Sequence, residues 1–147
     1  MLLRKIVIFE DEFLLANDLK RQIEQYEYRV TAMFRKGEDG VSHLSDPAHA
    51  DDLPDIVLMD ISLAGQMNGI EAARILVEKF NCAVVFLTGM SQMNIFEEAF
   101  QVKPHAFLIK PFDAQQALVS IRLAYYQKSL ENKLLKYVER YGPLPEE

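Results

Sequence analysis

Three unbroken apolar runs constrain this chain more than any other feature: Ile6-Val7-Ile8-Phe9, Ile56-Val57-Leu58-Met59 and Ala83-Val84-Val85-Phe86-Leu87. A strand with one wet face alternates apolar and polar residues, whereas a strand covered on both faces reads as a continuous apolar run. With the shorter runs at 29–34 and 106–109, they predict five strands, over 5–9, 29–34, 55–59, 83–87 and 106–109. Helical patterns lie between them. Leu15, Leu19, Ile23 and Tyr26 repeat at intervals of 4, 4 and 3, Ile70, Ala73, Val77 and Phe80 at 3, 4 and 3, and Ile95, Ala99 and Val102 form a shorter set. Start signals agree, with Asn68-Gly69 before the third helix, Ser91 before the fourth and Asp113 before the fifth. The second helix, about 37–44, is weakly patterned, and a polar loop over 43–54 follows it. Strand and helix alternating in this way give an α/β chain, a (βα)5 doubly wound five-stranded parallel sheet of flavodoxin-like architecture.

The fifth helix overruns what five strands need. Leu123, Tyr126, Leu130, Leu134, Tyr137 and Tyr141 keep helical spacing until Gly142-Pro143 stops it. The chain therefore divides into a domain over 1–125 and a helical extension or linker over 126–147. The apolar stripe of that extension is expected to support a homodimer; its alternative is a solvated linker.

Composition narrows the functions. Sixteen Lys and Arg against 22 Asp and Glu give a net charge of −6. That balance repels nucleic-acid phosphate, so no direct nucleic-acid binding is expected. A single cysteine, Cys82, excludes an internal disulfide and favours a reducing compartment. Arg4 and Lys5 interrupt the first apolar stretch, and nowhere do 18 apolar residues run together, so neither a signal peptide nor a membrane span is expected. A cytoplasmic location follows as an expectation.

In an open parallel sheet, sites form at the carboxyl ends of the strands. Those ends carry Glu10-Asp11-Glu12, Asp60, Thr88-Gly89 and Lys110-Pro111. Singly, each has an ordinary reading: Asp60 a turn or cap, the acidic triplet a charge cluster before a helix, Thr88 a strand former, Lys110 a solvated charge. Together, on successive strands, they suit phosphoryl chemistry. Crowded carboxylates repel by about 4 kcal/mol per pair at 4 Å, and Mg²⁺, which takes oxygen ligands and keeps waters, relieves that repulsion. Asp11 and Asp60 suit direct coordination and Glu10 a water-mediated contact. His43, His49 and His105 are scattered along the sequence and Cys82 sits at the other end of its strand, which argues against zinc. Lys110 and Thr88 would neutralise the remaining phosphoryl oxygens, with Asp60 as a carboxylate nucleophile.

Over about residues 3–125 the chain resembles the receiver domain of bacterial response regulators, the CheY-like superfamily of two-component signalling. The matching stretches are Ile6-Val7-Ile8-Phe9-Glu10-Asp11-Glu12, Asp55-Ile56-Val57-Leu58-Met59-Asp60, Val84-Val85-Phe86-Leu87-Thr88 and Phe107-Leu108-Ile109-Lys110-Pro111-Phe112, with 22 residues from Thr88 to Lys110. The resemblance implies that Asp60 accepts a phosphoryl group from the phosphohistidine of a sensor histidine kinase or histidine phosphotransfer protein. It implies Glu10, Asp11, Asp60 and the Ser62 carbonyl as holders of Mg²⁺, Thr88 and Lys110 as phosphoryl contacts, and a cis bond before Pro111. Thr88 and Phe107 would form the conformational switch. No enzymatic activity beyond the domain's own phosphorylation and dephosphorylation is implied. Departures are Phe107 in place of the usual Tyr, Gly89 in place of a common Ala, and a longer, proline-free 61–69 loop. Ser62 and Met90 stand where the family tunes dephosphorylation. Competing readings are a flavin or nucleotide binder, disfavoured by Glu10-Asp11-Glu12 where phosphate would sit, and a magnesium phosphohydrolase, disfavoured by Ser62 in place of a second Asp. A docking module that needs no phosphorylation is disfavoured by the complete acid, Thr and Lys set.

Overall fold

Strand and helix alternate as the periodicity predicts. The computed structural model describes residues 3–146; residues 1, 2 and 147, at the outer ends of the two predicted segments, lie outside the described residues. The elements are β1 (Arg4–Phe9), α1 (Phe13–Ile23), β2 (Tyr28–Phe34), α2 (Gly37–Ser45), β3 (Ile56–Asp60), α3 (Gly69–Phe80), β4 (Ala83–Thr88), α4 (Phe96–Phe100), β5 (Ala106–Ile109) and α5 (Ala114–Tyr141). The strands form one parallel sheet in the order β2-β1-β3-β4-β5. This is the expected (βα)5 doubly wound fold.

The continuous apolar runs have the predicted cause. On one face of the sheet Ile6, Ile8, Leu58, Val85 and Leu87 pack with Leu19 and Ile23 of α1 and Ala117 and Ile121 of α5. On the other face Val7, Phe9, Val57, Met59 and Phe86 pack with Leu44 of α2 and Ile70 and Leu76 of α3. Successive residues of a strand point to opposite faces, so a strand covered twice needs apolar residues throughout. Each large side chain so buried contributes roughly 1.5–3 kcal/mol.

Three local expectations need correction. Ser91 does not open a helix: Met90–Ile95 forms 3₁₀ turns, and α4 begins only at Phe96 and lasts five residues. Ser91 lies too early because the chain first turns tightly under the hydrogen bond from the Gln92 N–H to the Gly89 carbonyl. The 43–54 loop is also partly ordered, with 3₁₀ turns over Pro47–Asp52 capped by Asp46. Finally, His43 and His49 are not scattered in space. Their rings stack 3.7 Å apart, and His43 Nε2 lies 2.8 Å from Asp52 Oδ2.

Asp113 opens α5 with a capping box, exchanging hydrogen bonds with Gln116. The helix has 28 residues, about 42 Å at 1.5 Å per residue. It crosses residue 125 without a break. Glu131 still reaches His105 at 3.0 Å and Asn132 accepts from Asn81 at 3.2 Å, so the helix leaves the body only after them. Gly142, with φ +88°, ends it. No helix among the described residues is long and apolar enough to cross a membrane.

Candidate functional site

Strand register builds the site. Phe9 pairs with Met59, so Glu10 leaves β1 beside Asp60 at the end of β3. Asp60 pairs with Leu87, and Thr88 pairs with Ile109, so Thr88 and Lys110 leave β4 and β5 at the same rim. The backbone N–H of Lys110 donates to the Thr88 carbonyl at 2.8 Å, which locks the last two strands together there. The Lys110–Pro111 bond is cis, as the resemblance implies.

Burial sharpens the chemistry. Glu10 and Asp60 are 2% and 3% exposed, values that charged groups reach only when paired. Glu10, Asp11 and Asp60 each offer a carboxylate oxygen, all within 4.8 Å of one another. Lys110 Nζ lies 2.5 Å from Glu10 Oε1 and 3.1 Å from Asp60 Oδ2. The contact with Asp60 is a hydrogen bond. That with Glu10 is a close ion pair at a carboxylate oxygen shut off from water, so one ammonium serves both acids. Burial first, then the neighbouring Asp60 carboxylate, pushes the Glu10 pKa up to about 8, although Lys110 and the Glu12 N–H pull it down. For Lys110, burial alone would lower the pKa, but Glu10 and Asp60 more than offset it and hold the ammonium above its ordinary value.

These observations fit a divalent cation. Three carboxylates converge, two of them buried, and one ammonium balances only part of their charge. Oxygen ligands in a small cluster suit Mg²⁺ rather than zinc. Ser62 stands two residues past Asp60 and donates its N–H to Asp60 Oδ1 at 2.9 Å, which orients the carboxylate.

Thr88 is fully buried, and its hydroxyl faces the Gly89 carbonyl and Gln92 Oε1, each at 3.3 Å. Gln92 Oε1 also accepts the Gly89 N–H at 2.9 Å. This glutamine, on the 3₁₀ turn after β4, escapes sequence reasoning because no pattern marks it. Phe107 packs among aromatic rings, 4.3 Å from Phe96, 5.0 Å from Phe100 and 5.7 Å from Phe86, centroid to centroid. Its position therefore couples β5 to α4.

The loop between β3 and α3 is held from α2, another arrangement the sequence conceals. Glu38 accepts the Gln66 and Met67 N–H groups, each at 3.3 Å, and these bonds, beginning with one to its own backbone, lower its pKa. Gly65, at φ +93°, lets the loop turn there, and a Cβ would strike Glu38. Gly69 is required for a different reason: a Cβ on it would sit 2.0 Å from the Asp60 carbonyl oxygen. Only a glycine lets α3 start so close to the end of β3.

Comparison with known proteins agrees. The family model described as response regulator receiver domain matches residues 6–122. The transcriptional regulatory protein PdtaR of Mycobacterium tuberculosis is 31% identical over 121 residues, covering 82% of this chain and 56% of that protein. Chemotaxis protein CheY of Listeria monocytogenes is 26% identical over 121 residues, covering 82% of this chain and 97% of its own. The solved signal receiver domain of a modulated diguanylate cyclase from Desulfovibrio desulfuricans superposes with a TM-score of 0.79 at 35% identity, covering 88% of this chain and 98% of that one. The chain spans about half the length of several relatives, such as 46% of the phyllosphere-induced regulator PhyR of Methylorubrum extorquens. With its five parallel strands, its acidic rim and a family match over most of its length, the chain belongs to the response regulator receiver domains of two-component signalling.

Proposed function

We propose that this receiver accepts a phosphoryl group on Asp60, from the phosphohistidine of a sensor histidine kinase or a histidine phosphotransfer protein. The observation that carries the reading is the buried carboxylate cluster with Lys110 bridging Glu10 and Asp60. Glu10, Asp11, Asp60 and the Ser62 carbonyl would hold Mg²⁺. When bound, the ion supplies charge neutralisation for the transferring phosphoryl oxygens.

The chain's own residues do the rest. The Ser62 N–H and the Lys110 ammonium hold the Asp60 carboxylate from two sides, leaving Oδ2 shared with a movable cation. An oxygen of Asp60 attacks phosphorus, the P–N bond to the donor imidazole breaks, and the imidazole leaves with the bonding pair. Lys110 then transfers its ion pair from the carboxylate to the new phosphoryl group. A recess of about 420 Å³ lined by Glu12, Leu15, Lys110, Pro111 and Phe112 gives an incoming group room beside Lys110. The Thr88 hydroxyl, now facing Gln92 and Gly89, turns toward the phosphoryl oxygen, and Phe107 repacks among the aromatic rings of α4 and β4. This two-state shift is biased by the added charge. Residues 1–125 act as the receiver unit and 126–147 as its helical extension. The domain's chemistry stops at its own phosphorylation and dephosphorylation.

Incubating the chain with acetyl phosphate and Mg²⁺, then measuring intact mass, tests the reading. A rise of about 80 Da, one phosphoryl group, that disappears on chelation supports it. An unchanged mass alongside a control receiver that is modified overturns it.

A further inference from the structure

The outer face of α5 has a repeat that receiver chemistry does not use. Val119, Leu123, Tyr126, Leu130, Leu134, Tyr137 and Tyr141 follow intervals of 4, 3, 4, 4, 3 and 4, an eleven-residue repeat run twice. Leu123 and Leu134 occupy equivalent places, as do Tyr126 and Tyr137. At about 100° per residue all seven fall within roughly 80° of arc. Ala117, Ile121 and Ala124, which bury against the sheet, lie on the far side of the helix. The stripe is about half exposed throughout, from 47% at Leu134 to 65% at Tyr141.

We infer that this stripe pairs with the same stripe of a second copy, as two parallel, nearly straight helices. A repeat of eleven residues gives 3.67 per turn, close to the 3.6 of a straight helix, so an apolar seam stays on one side with only a gentle right-handed supercoil, opposite in hand to that of heptads. The stripe runs about 33 Å. Its side chains expose roughly 700 Å² of mainly apolar surface, close to the roughly 800 Å² per partner that a stable interface buries. Patches of that size are uncommon on monomers.

Charge fixes the orientation. Arg122, Lys133, Lys136 and Arg140 all project to one flank of the stripe, while the uncharged Ser120, Gln127 and Val138 border the other. An antiparallel pair sets like flanks together, bringing Arg122 of one copy against Lys136 and Arg140 of the other. A parallel pair sets each basic flank against the partner's uncharged one and avoids that repulsion. The pairing is independent of phosphoryl acceptance.

Analytical ultracentrifugation of the 147-residue chain, with disulfide trapping, tests this. The wild type sediments as a dimer at tens of micromolar, and the double substitution Leu130→Glu with Leu134→Glu raises the dissociation constant at least a hundredfold. Far-UV circular dichroism of that variant stays like the wild type, because both side chains point to solvent. A chain that remains monomeric up to millimolar concentration overturns the inference. So does a dimer that the double substitution leaves intact. Leu134→Cys settles orientation, since native Cys82 is buried and silent. Rapid oxidation to a covalent dimer supports the parallel pair. A dimer in which Leu134→Cys does not couple, while a mixture of Tyr126→Cys and Leu134→Cys chains does, contradicts it.

Discussion

The two rims of the sheet use similar residues to opposite ends. At the amino rim, Asp55 is exposed and accepts the Lys5 N–H at 2.8 Å, Lys5 Nζ donates to the Asp51 carbonyl at 2.8 Å, and Cys82 is buried with its thiol pushed up to about 11 by desolvation. Every charge there is in water or paired. At the carboxyl rim, Glu10 and Asp60 are buried, and a single ammonium serves both acids. Folding alone gains nothing from that crowding. A crowded, charge-rich rim beside a relaxed one marks where a protein gives up stability for chemistry.

Exchanging one aspartate at each rim breaks the comparison most sharply. Asp60→Asn abolishes phosphoryl incorporation in the intact-mass assay, whereas Asp55→Asn leaves it unchanged and lowers stability by about 1 kcal/mol at most. Equal effects of the two substitutions would mean that the rims do not differ in kind.

Lysines give the next largest contrast. Lys110→Ala leaves the buried Asp60 carboxylate without its counter-ion and costs about 3 kcal/mol in urea denaturation at pH 8 without metal. Lys5→Ala removes one surface donor and costs less than about 1 kcal/mol. A loss for Lys110→Ala as small as that for Lys5→Ala would show that the acids do not depend on their cation.

pH separates the rims more gently. Glu10 titrates near 8 in the folded chain against an ordinary 4.5, so the folded state holds an extra proton between those values. Its contribution to stability is therefore fully present below pH 4.5 and is lost as pH rises toward 8. A bound cation reverses that trend, because it favours the ionised carboxylate. The gain in Tm on adding Mg²⁺ is expected to grow from pH 5.5 to 8, and Glu10→Gln to flatten the rise. A gain independent of pH would remove Glu10 from the metal's surroundings.

The smallest effect is expected at Gln92. Gln92→Ala frees the Thr88 hydroxyl and the Gly89 N–H, costing about 1 kcal/mol or less. It should speed any switching step in which Thr88 turns, read by stopped-flow after phosphodonor addition. An unchanged rate would mean that Gln92 does not restrain Thr88.

What could be read beforehand follows from locality. The runs of Ile, Val, Leu and Phe in β1, β3 and β4 report burial on both faces, and strand ends locate Glu10, Asp60, Thr88 and Lys110, because parallel register carries each to the same rim. Gln92 and Glu38 stayed hidden since their partners are backbone groups of irregular turns, which side-chain periodicity does not encode. Ser91 misled as a helix start because capping residues also favour turns. The stacking of His43 on His49 depends on how α2 ends and the next 3₁₀ turn begins, a geometry no spacing specifies.

The central claim is that the rim of crowded, buried carboxylates holds the acceptor. Borohydride reduction of the chain after acetyl phosphate and Mg²⁺ treatment, followed by peptide mapping, reads it directly, since only an acyl phosphate is reduced to the alcohol. Conversion at position 60 alone is the result expected from the Lys110-bridged carboxylates. Conversion at Glu10, Asp11 or Asp55, with Asp60 untouched, would contradict it.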